Sequence, residues 1–479
     1  MDPQRPLFDA TPLAPPFSGG AVAGRTAAEF FAGVGLARMG LERAGWEVVF
    51  ANDIEPAKRR MHDGHFGPSP HYHVGDIHDL ARDPTQVPPA LLAHASFPCT
   101  DLSLAGGRKG LNAGQSSAFW GWIELLRAMS VEQRPKLLLV ENVTGLLSSH
   151  NGADFRALVA AINDLGYAAD AMMVDAAHFT PQSRPRLFVI GVASGFETRA
   201  YPPPPCGEPA FSEKWGEGGE VGTRPTRDEA GARSTGEETW YPGSSPLPDP
   251  PHQGEGDSVA SVRRGLSVND LHPSTIRPAK LVEAIRASAD LDWDLSDLPE
   301  PPPYGVVQLE EVLDRLPGDS PQWWSTERAA YLLNQMSDRH RQTADTMIAG
   351  KKVSYGAVFR RVRNGRSMAE LRTDGLAGCL RTPKGGSGRQ ILFEAGRGEY
   401  RVRLMNPDEC ARLMGAKGYR ITTPLNQALF GFGDAVCVDA VAWVAQHRLN
   451  PVAEAILGAA ASSVKDCTTT GTKDTTSCH

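Results

Sequence analysis

The chain has 479 residues, 41% apolar and 22% charged, a length and balance that suit an ordinary globular protein of two domains. No run reaches the roughly eighteen uninterrupted apolar residues of a membrane span, and the N-terminus lacks the basic flank and apolar stretch of a secretion signal, so a cytoplasmic protein is expected. The seven cysteines are scattered, with no C-x-x-C pair, which argues against both a disulfide framework and a thiolate zinc site.

Residues 1–24, rich in Pro, Gly and small side chains, are expected to be a disordered tail. From about Thr26 to Val192 short apolar runs alternate with amphipathic stretches: strands at Ala28–Phe31, Glu47–Ala51 and Leu137–Val140, helices at Leu36–Arg43 and Phe119–Met129. Such alternation predicts a mainly parallel α/β sheet with ligand loops at the carboxyl ends of its strands.

The first strand runs into Gly33-Val34-Gly35, which permits a tight turn and close approach of a ligand to the backbone. The next ends on Asp53, placed to accept from ribose hydroxyls, and Asp76 sits at a third strand end. Leu36-Ala37-Arg38-Met39-Gly40 follows the G-x-G, so the dinucleotide spacing G-x-G-x-x-G is absent, which suits a nucleoside cofactor without a pyrophosphate. Alone, the G-x-G reads equally as a structural turn.

Pro98-Cys99 then follows the apolar Leu91–Phe97 run and opens a Gly-rich loop, presenting a thiol on a loop rather than in a core. Glu141 ends the Leu137–Val140 strand, and Arg184 and Arg186 alternate just before the Leu187–Ile190 strand, so that both side chains point one way. A capping Glu and a surface Arg pair are the alternative readings. Gly106-Gly107-Arg108-Lys109-Gly110 carries positive charge on flexible backbone after the cysteine, as a duplex-contacting loop does.

Composition changes near Arg199, and the Pro- and Gly-rich stretch to Gly256 reads as linker. Glu311–Met347 has helical periodicity. Between Ser337 and Arg403 lie 15 Lys/Arg against 6 Asp/Glu, a local basic excess inside a chain of net charge −7. Trp323-Trp324 is expected to anchor the core of a small domain. Lys384-Gly385-Gly386-Ser387-Gly388-Arg389 is either a phosphate contact or a hairpin turn. His62, His65, His71, His73 and His78 lack a cysteine or paired acid, so they are read as surface residues and no metal is expected. Ordered α/β character returns from about Val402 to His447, with helices at Asn406–Met414 and Val438–His447.

Together the ordered motifs FAGVG, PC, ENV, QSRPR, RLMNPDECARLMG and GFGDAV resemble the DNA (cytosine-5)-methyltransferase family of bacterial type, over about Glu29–Val192 and Arg403–His447. The resemblance implies a Rossmann-like S-adenosylmethionine-dependent methyltransferase sheet with a smaller target-recognition domain inserted. The expected division is a tail at 1–24, a catalytic and cofactor-binding domain at 25–195, target recognition with linkers at 196–400, a return to the catalytic domain at 401–450, and a disordered tail at 451–479.

The chemistry it implies is attack of Cys99 on carbon-6 of a flipped cytosine, with Glu141 holding and protonating ring nitrogen-3. Arg184 and Arg186 would position the base and its neighbouring phosphate. S-adenosyl-L-methionine would be held by Phe31, Gly33, Val34, Gly35, Asp53, Ile54, Asp76, Ile77, Pro98, Phe119, Asp434 and Val436. The implied partner is double-stranded DNA, met by a monomer alongside a cognate restriction endonuclease or other defence proteins. Methylation of RNA cytosine and a non-catalytic DNA-binding regulator are the alternatives; the second would have lost Cys99 or Glu141, and both are present.

Three positions depart from the pattern. Thr100 follows Cys99 where many relatives have Gln, Leu36 stands where a glycine often follows the G-x-G, and Gly433-Asp434-Ala435-Val436 replaces the commoner Gly-Asn-Ser-Val. Asp434 brings a negative charge beside the expected cofactor carboxylate.

Overall fold

In the first third of the chain, apolar runs too short for helices become strands, and amphipathic stretches return between them as helices. Thr26–Phe30 (β1), Leu36–Arg43 (α1), Glu47–Asp53 (β2), Pro56–Phe66 (α2), Tyr72–Val74 (β3), Ile77–Arg82 (α3) and Leu92–Ala95 (β4) follow one another. The structure, a computed structural model, describes residues 24–98, 118–195, 266–363, 365–382 and 388–459. The series continues with Ala118–Ala128 (α4), Leu137–Val143 (β5), Ala153–Asn163 (α5), Tyr167–Asp175 (β6) and Pro185–Ala193 (β7).

These strands form one sheet in the order β3-β2-β1-β4-β5-β7-β6. Only β7 is reversed, antiparallel to both β5 and β6. Central strands are buried on both faces, as covered parallel strands are: all four residues of β4, His94 among them, are buried. Ala28, Phe30, Ala93, Ala95, Leu138 and Val140 face α4 and α5. Ala27, Leu92, Leu137 and Leu139 face α1 and the C-terminal helices.

A second, four-stranded sheet is wholly antiparallel, in the order β11-β10-β8-β9. Before it come Ala279–Arg286 (α6), Thr326–Asn334 (α7) and Asp338–Ile348 (α8). Its strands are Ser354–Arg363 (β8), Arg366–Arg372 (β9), Ile391–Gly396 (β10) and Glu399–Leu404 (β11). Leu332, Leu333 and Ala344 of the helices pack on Val358, Phe393 and Val402. Trp324 borders this core and the Trp323 ring borders the next, its Nε1–H on the Pro317 carbonyl, so the tandem tryptophans act as anchors. Pro407–Leu413 (α9), Leu425–Asp434 (α10) and Val438–Val444 (α11) then return the chain to the first sheet.

Several boundaries differ from expectation. Helix does not begin at Glu311 but at Thr326, after a segment interrupted by Pro317 and Pro321. The proposed border between residues 400 and 401 cuts through β11, whose Val402 is paired with Phe393 of β10. The segment 266–298, expected to lie with target recognition, packs on the seven-stranded sheet. Trp293 bridges to Ala169 at the edge strand β6, Met173 N–H donates to Ile276 at 2.7 Å, and Leu281, Val282 and Ile285 of α6 enter the sheet's core.

Asp170 of β6 fixes that segment by charge. It accepts from Arg277 at 2.7 Å and from Arg448 at 2.9 Å, and Arg448 also pairs with Asp294 at 2.8 Å, all four groups being buried. Residues 451–459, expected to be disordered, are helical because Val452, Ala453 and Ile456 bury against the α1 face. In the helical stretch Leu425–Ala459 the most apolar eighteen-residue portion is 72% buried, its side chains going into the core.

Candidate active site

The cofactor side is built where β1 and β2 end. Phe31, Gly33 and Gly35 have φ of 57°, 60° and 81°, so the FAGVG loop turns left-handed three times. At Gly35 a side chain is excluded twice over: a Cβ would lie 2.6 Å from Phe66 and 2.8 Å from His62. Gly33 N–H donates to Asp53 Oδ2 at 2.9 Å, while the Tyr72 and Tyr419 hydroxyls hold the Gly33 and Val34 carbonyls, each at 2.8 Å. Asp53 Oδ1 accepts Glu55 N–H at 2.9 Å, which leaves its carboxylate facing the loop.

Around this loop Ile54 is 65% exposed, an apolar side chain held out beside a buried acid. Asp76 caps α3 by accepting His78 N–H at 2.9 Å, and Ile77 behind it is buried. Pro98 is half-buried. Val436 is buried, whereas the Asp434 side chain is 49% exposed. Lys58 lies between Asp434 and Asp53, 3.6 Å from a carboxylate oxygen of each. Asp434 therefore does not stand as an unbalanced charge.

Phe119 is a correction. It is 0% exposed, packed against Phe97, Trp120 and Trp122, and presents no surface to a cofactor. His62 is another: it is fully enclosed against Phe66 and Tyr72, and burial with the neighbouring Arg38 pushes its pKa down to about 3. Among the described residues no His, Cys, Asp and Glu cluster forms a metal site.

On the reactive side Cys99 and the loop through Gly110 lie outside the described residues, as do Lys384 to Ser387. Glu141 lies two residues before the end of β5 and is 5% exposed. One carboxylate oxygen pairs with Arg186 Nε at 2.9 Å and the other accepts the Ser96 hydroxyl. Asn142 Nδ2 donates to the Phe97 carbonyl at 3.2 Å, so the strand that carries Glu141 also fixes the backbone just before Pro98.

Arg184 does not join Arg186 in facing a substrate. It is 1% exposed and donates to Leu380 O at 2.7 Å, Cys379 Sγ at 3.2 Å, Gly433 O at 3.0 Å and Ala435 O. A guanidinium so enclosed ties the second sheet's connection to the end of α10 through both terminal nitrogens, and its remaining donor, Nε–H, is buried away from solvent. Gln182 does the same, bonding Leu413 O at 2.7 Å and Leu380 N–H at 2.9 Å. Cys379, half-buried beside this junction, is a residue the sequence did not single out. Burial raises its thiol pKa, but Arg184, Arg186 and Arg381 outweigh that and hold it below the ordinary value.

The sheet, with one reversed strand, a glycine loop after β1 and an acid at the end of β2, has the Rossmann-like α/β fold of a methyltransferase sheet. Residues 26–242 match the family model of C-5 cytosine-specific DNA methylases. It is 30% identical over 164 residues to the Type II methyltransferase M.NgoBI of Neisseria gonorrhoeae, spanning 34% of this chain and 49% of that protein. It is 31% identical over 164 residues, with the same coverage, to M.HaeII of Haemophilus aegyptius. The chain thus spans about half the length of the curated relatives it matches. A crystal structure of the S. pombe Dnmt2 methyltransferase superposes with a TM-score of 0.48 at 14% identity, covering 88% of this chain and 96% of that one.

Proposed function

We propose that this chain is a DNA (cytosine-5-)-methyltransferase, moving a methyl group from S-adenosylmethionine to carbon-5 of a cytosine flipped out of a short duplex sequence. The observation that carries the reading is Glu141, on the strand beside β4, whose two oxygens are held by Arg186 and by Ser96, the residue that follows β4. The residues present also fit the cofactor. Asp53 suits a ribose diol, the exposed Ile54 an adenine face, and the left-handed Gly33 loop a close-lying chain of atoms. When bound, that group supplies an electrophilic methyl.

The chain's own residues do the rest. Cys99 as thiolate adds to carbon-6, placing electron density on carbon-5. Glu141 donates a proton to ring nitrogen-3, so the added electrons do not build up as a bare anion. Arg186 and Ser96 fix the direction of that carboxyl. After transfer, loss of the carbon-5 proton to a base expels Cys99, and nitrogen-3 returns its proton to Glu141, restoring the neutral ring.

The exposed cations of the second sheet, Lys351, Lys352 and Arg366 among them, meet phosphates along the duplex. The setting is cytoplasmic, in restriction-modification or phage defence.

The test is expression of wild type and Cys99→Ser in a host lacking cytosine methylation, followed by bisulfite sequencing of its DNA. Protected cytosines in one short motif, lost in the serine variant, are the expected result. Conversion of every cytosine in both samples would overturn the DNA reading, and bisulfite sequencing of RNA from the same cells would then take its place.

A further inference from the structure

Lys58 is in the first turn of α2, immediately after the strand that ends in Asp53. Its stem crosses Gly33: a Cβ built on that glycine would lie 4.0 Å from Lys58 Cδ. The ammonium stands 3.6 Å from Asp53 Oδ2 and 3.6 Å from Asp434 Oδ2. Both separations are those of ion pairs, longer than a charged hydrogen bond. Burial disfavours its charge, yet the two carboxylates together raise its pKa, so Lys58 keeps its proton.

The partner at the far side is held firmly. Arg184 takes the carbonyls of Gly433 and Ala435, the residues flanking Asp434, so the turn that aims Asp434 is pinned from beneath. Gly433 permits this closeness, since a Cβ there would strike the Arg381–Thr382 peptide at 2.6 Å. The glycine loop therefore has Asp53 on one side, Asp434 on the other, and one ammonium spanning them.

We infer that Lys58 and Asp434 form a complementary charge pair for the amino-acid end of the cofactor, Lys58 taking its carboxylate and Asp434 its ammonium. This rests on the cofactor proposed above. A ribose bonded to Asp53 competes with Lys58 for that oxygen and leaves the ammonium facing along the loop towards Asp434. A zwitterion offers each of the two groups a partner of the sign it already has, so the exchange strands no charge in a half-buried site. The same pairing accounts for the Asp434-Ala435 departure. Ala435 has no hydroxyl to give a carboxylate, and Asp434 alone would repel one; Lys58 supplies the missing positive charge.

The test is calorimetric binding of two probes to the full chain. S-adenosylhomocysteine carries the zwitterion, and 5′-methylthioadenosine has the same nucleoside without it. Lys58→Met is expected to weaken S-adenosylhomocysteine by about tenfold or more while leaving 5′-methylthioadenosine within about twofold. Asp434→Asn should show the same selectivity with a smaller loss, and Lys58→Arg should keep most of the affinity. Thermal melts identify any variant that has not folded, in which case Lys58→Gln is measured instead. Equal weakening of both probes, or of neither, overturns the inference while leaving the cofactor in place. Binding of neither probe by the wild type overturns the cofactor reading and this inference with it.

Discussion

A guanidinium carries five N–H donors and no acceptor, so burying one demands several oxygens at fixed positions. Arg184 has them from Leu380, Gly433 and Ala435, which join chain segments about two hundred residues or more apart: the separations are 196, 249 and 251. Arg184→Met removes the donors and leaves three carbonyls facing a methionine stem. A loss on the order of 3–5 kcal/mol is expected in denaturant unfolding. Arg184→Lys should recover less than half of it, because an ammonium cannot reproduce the planar fork. A loss below about 1 kcal/mol for Met would contradict the clamp.

Glu29, on β1 behind the glycine loop, poses the opposite problem. Burial pushes its carboxyl up to about 8, against the pull of Arg38 and with Glu42 and Asp53 adding repulsion. In the unfolded chain it titrates near 4.5, so between the two values the folded state holds a proton that the unfolded state has lost. The stabilising contribution of this group is therefore complete below about 4.5 and declines as pH rises towards 8. Glu29→Gln, which is permanently neutral, should match the wild type near pH 5 and melt above it by a gap that widens to about pH 8. A gap independent of pH would contradict the buried proton.

At the scale of elements, the clasp on β6 decides what belongs with the seven-stranded sheet. Asp170→Ala leaves Arg277 and Arg448 buried with one partner fewer each, at a cost on the order of 3–5 kcal/mol. Amide exchange should then accelerate at Leu281–Ile285 and Val452–Ile456 together, since one carboxylate fastens both. Exchange rising in only one segment would mean they are held separately.

This clasp also marks where the sequence stops being legible. β1, α1, β2 and β5 could be read because an apolar run and the residue following it are neighbours in the chain, which is why Asp53 and Glu141 stood out. Asp170 meets Arg277 and Arg448 across 107 and 278 residues, and no local pattern announces such a pairing. Lys58, Gln182, Ser96 and Cys379 were missed for the same reason: each is defined by partners from distant segments. Arg184 was misassigned because alternation in a strand gives the face of a side chain but not what covers that face.

Over the whole molecule the net charge of −7 conceals a division of labour. The acidic surplus lies elsewhere, and the second sheet with its flanks carries 15 cations to 6 anions. Binding to duplex DNA should weaken steeply with salt. Replacing Lys351, Lys352 and Arg366 together by Ala should reduce the slope of log K against log salt by about 2–3, near 0.9 for each phosphate released. An unchanged slope would place the duplex on another face.

The contacts of α1 carry one more consequence. Trp46 Nε1 reaches Asn450 at 2.7 Å, Asn450 in turn donates to the Ala44 carbonyl at 2.9 Å, and Arg43 pairs with Asp439. The first helix after the glycine loop thus waits for residues made some four hundred positions later. While the ribosome is still working, the nascent chain has neither Asp434 nor the helix that backs α1, and Arg184 has no carbonyls to grip. Under the proposed reading, a cofactor site complete enough to work exists only after translation has passed the last helix, and a prematurely terminated product is silent rather than indiscriminate.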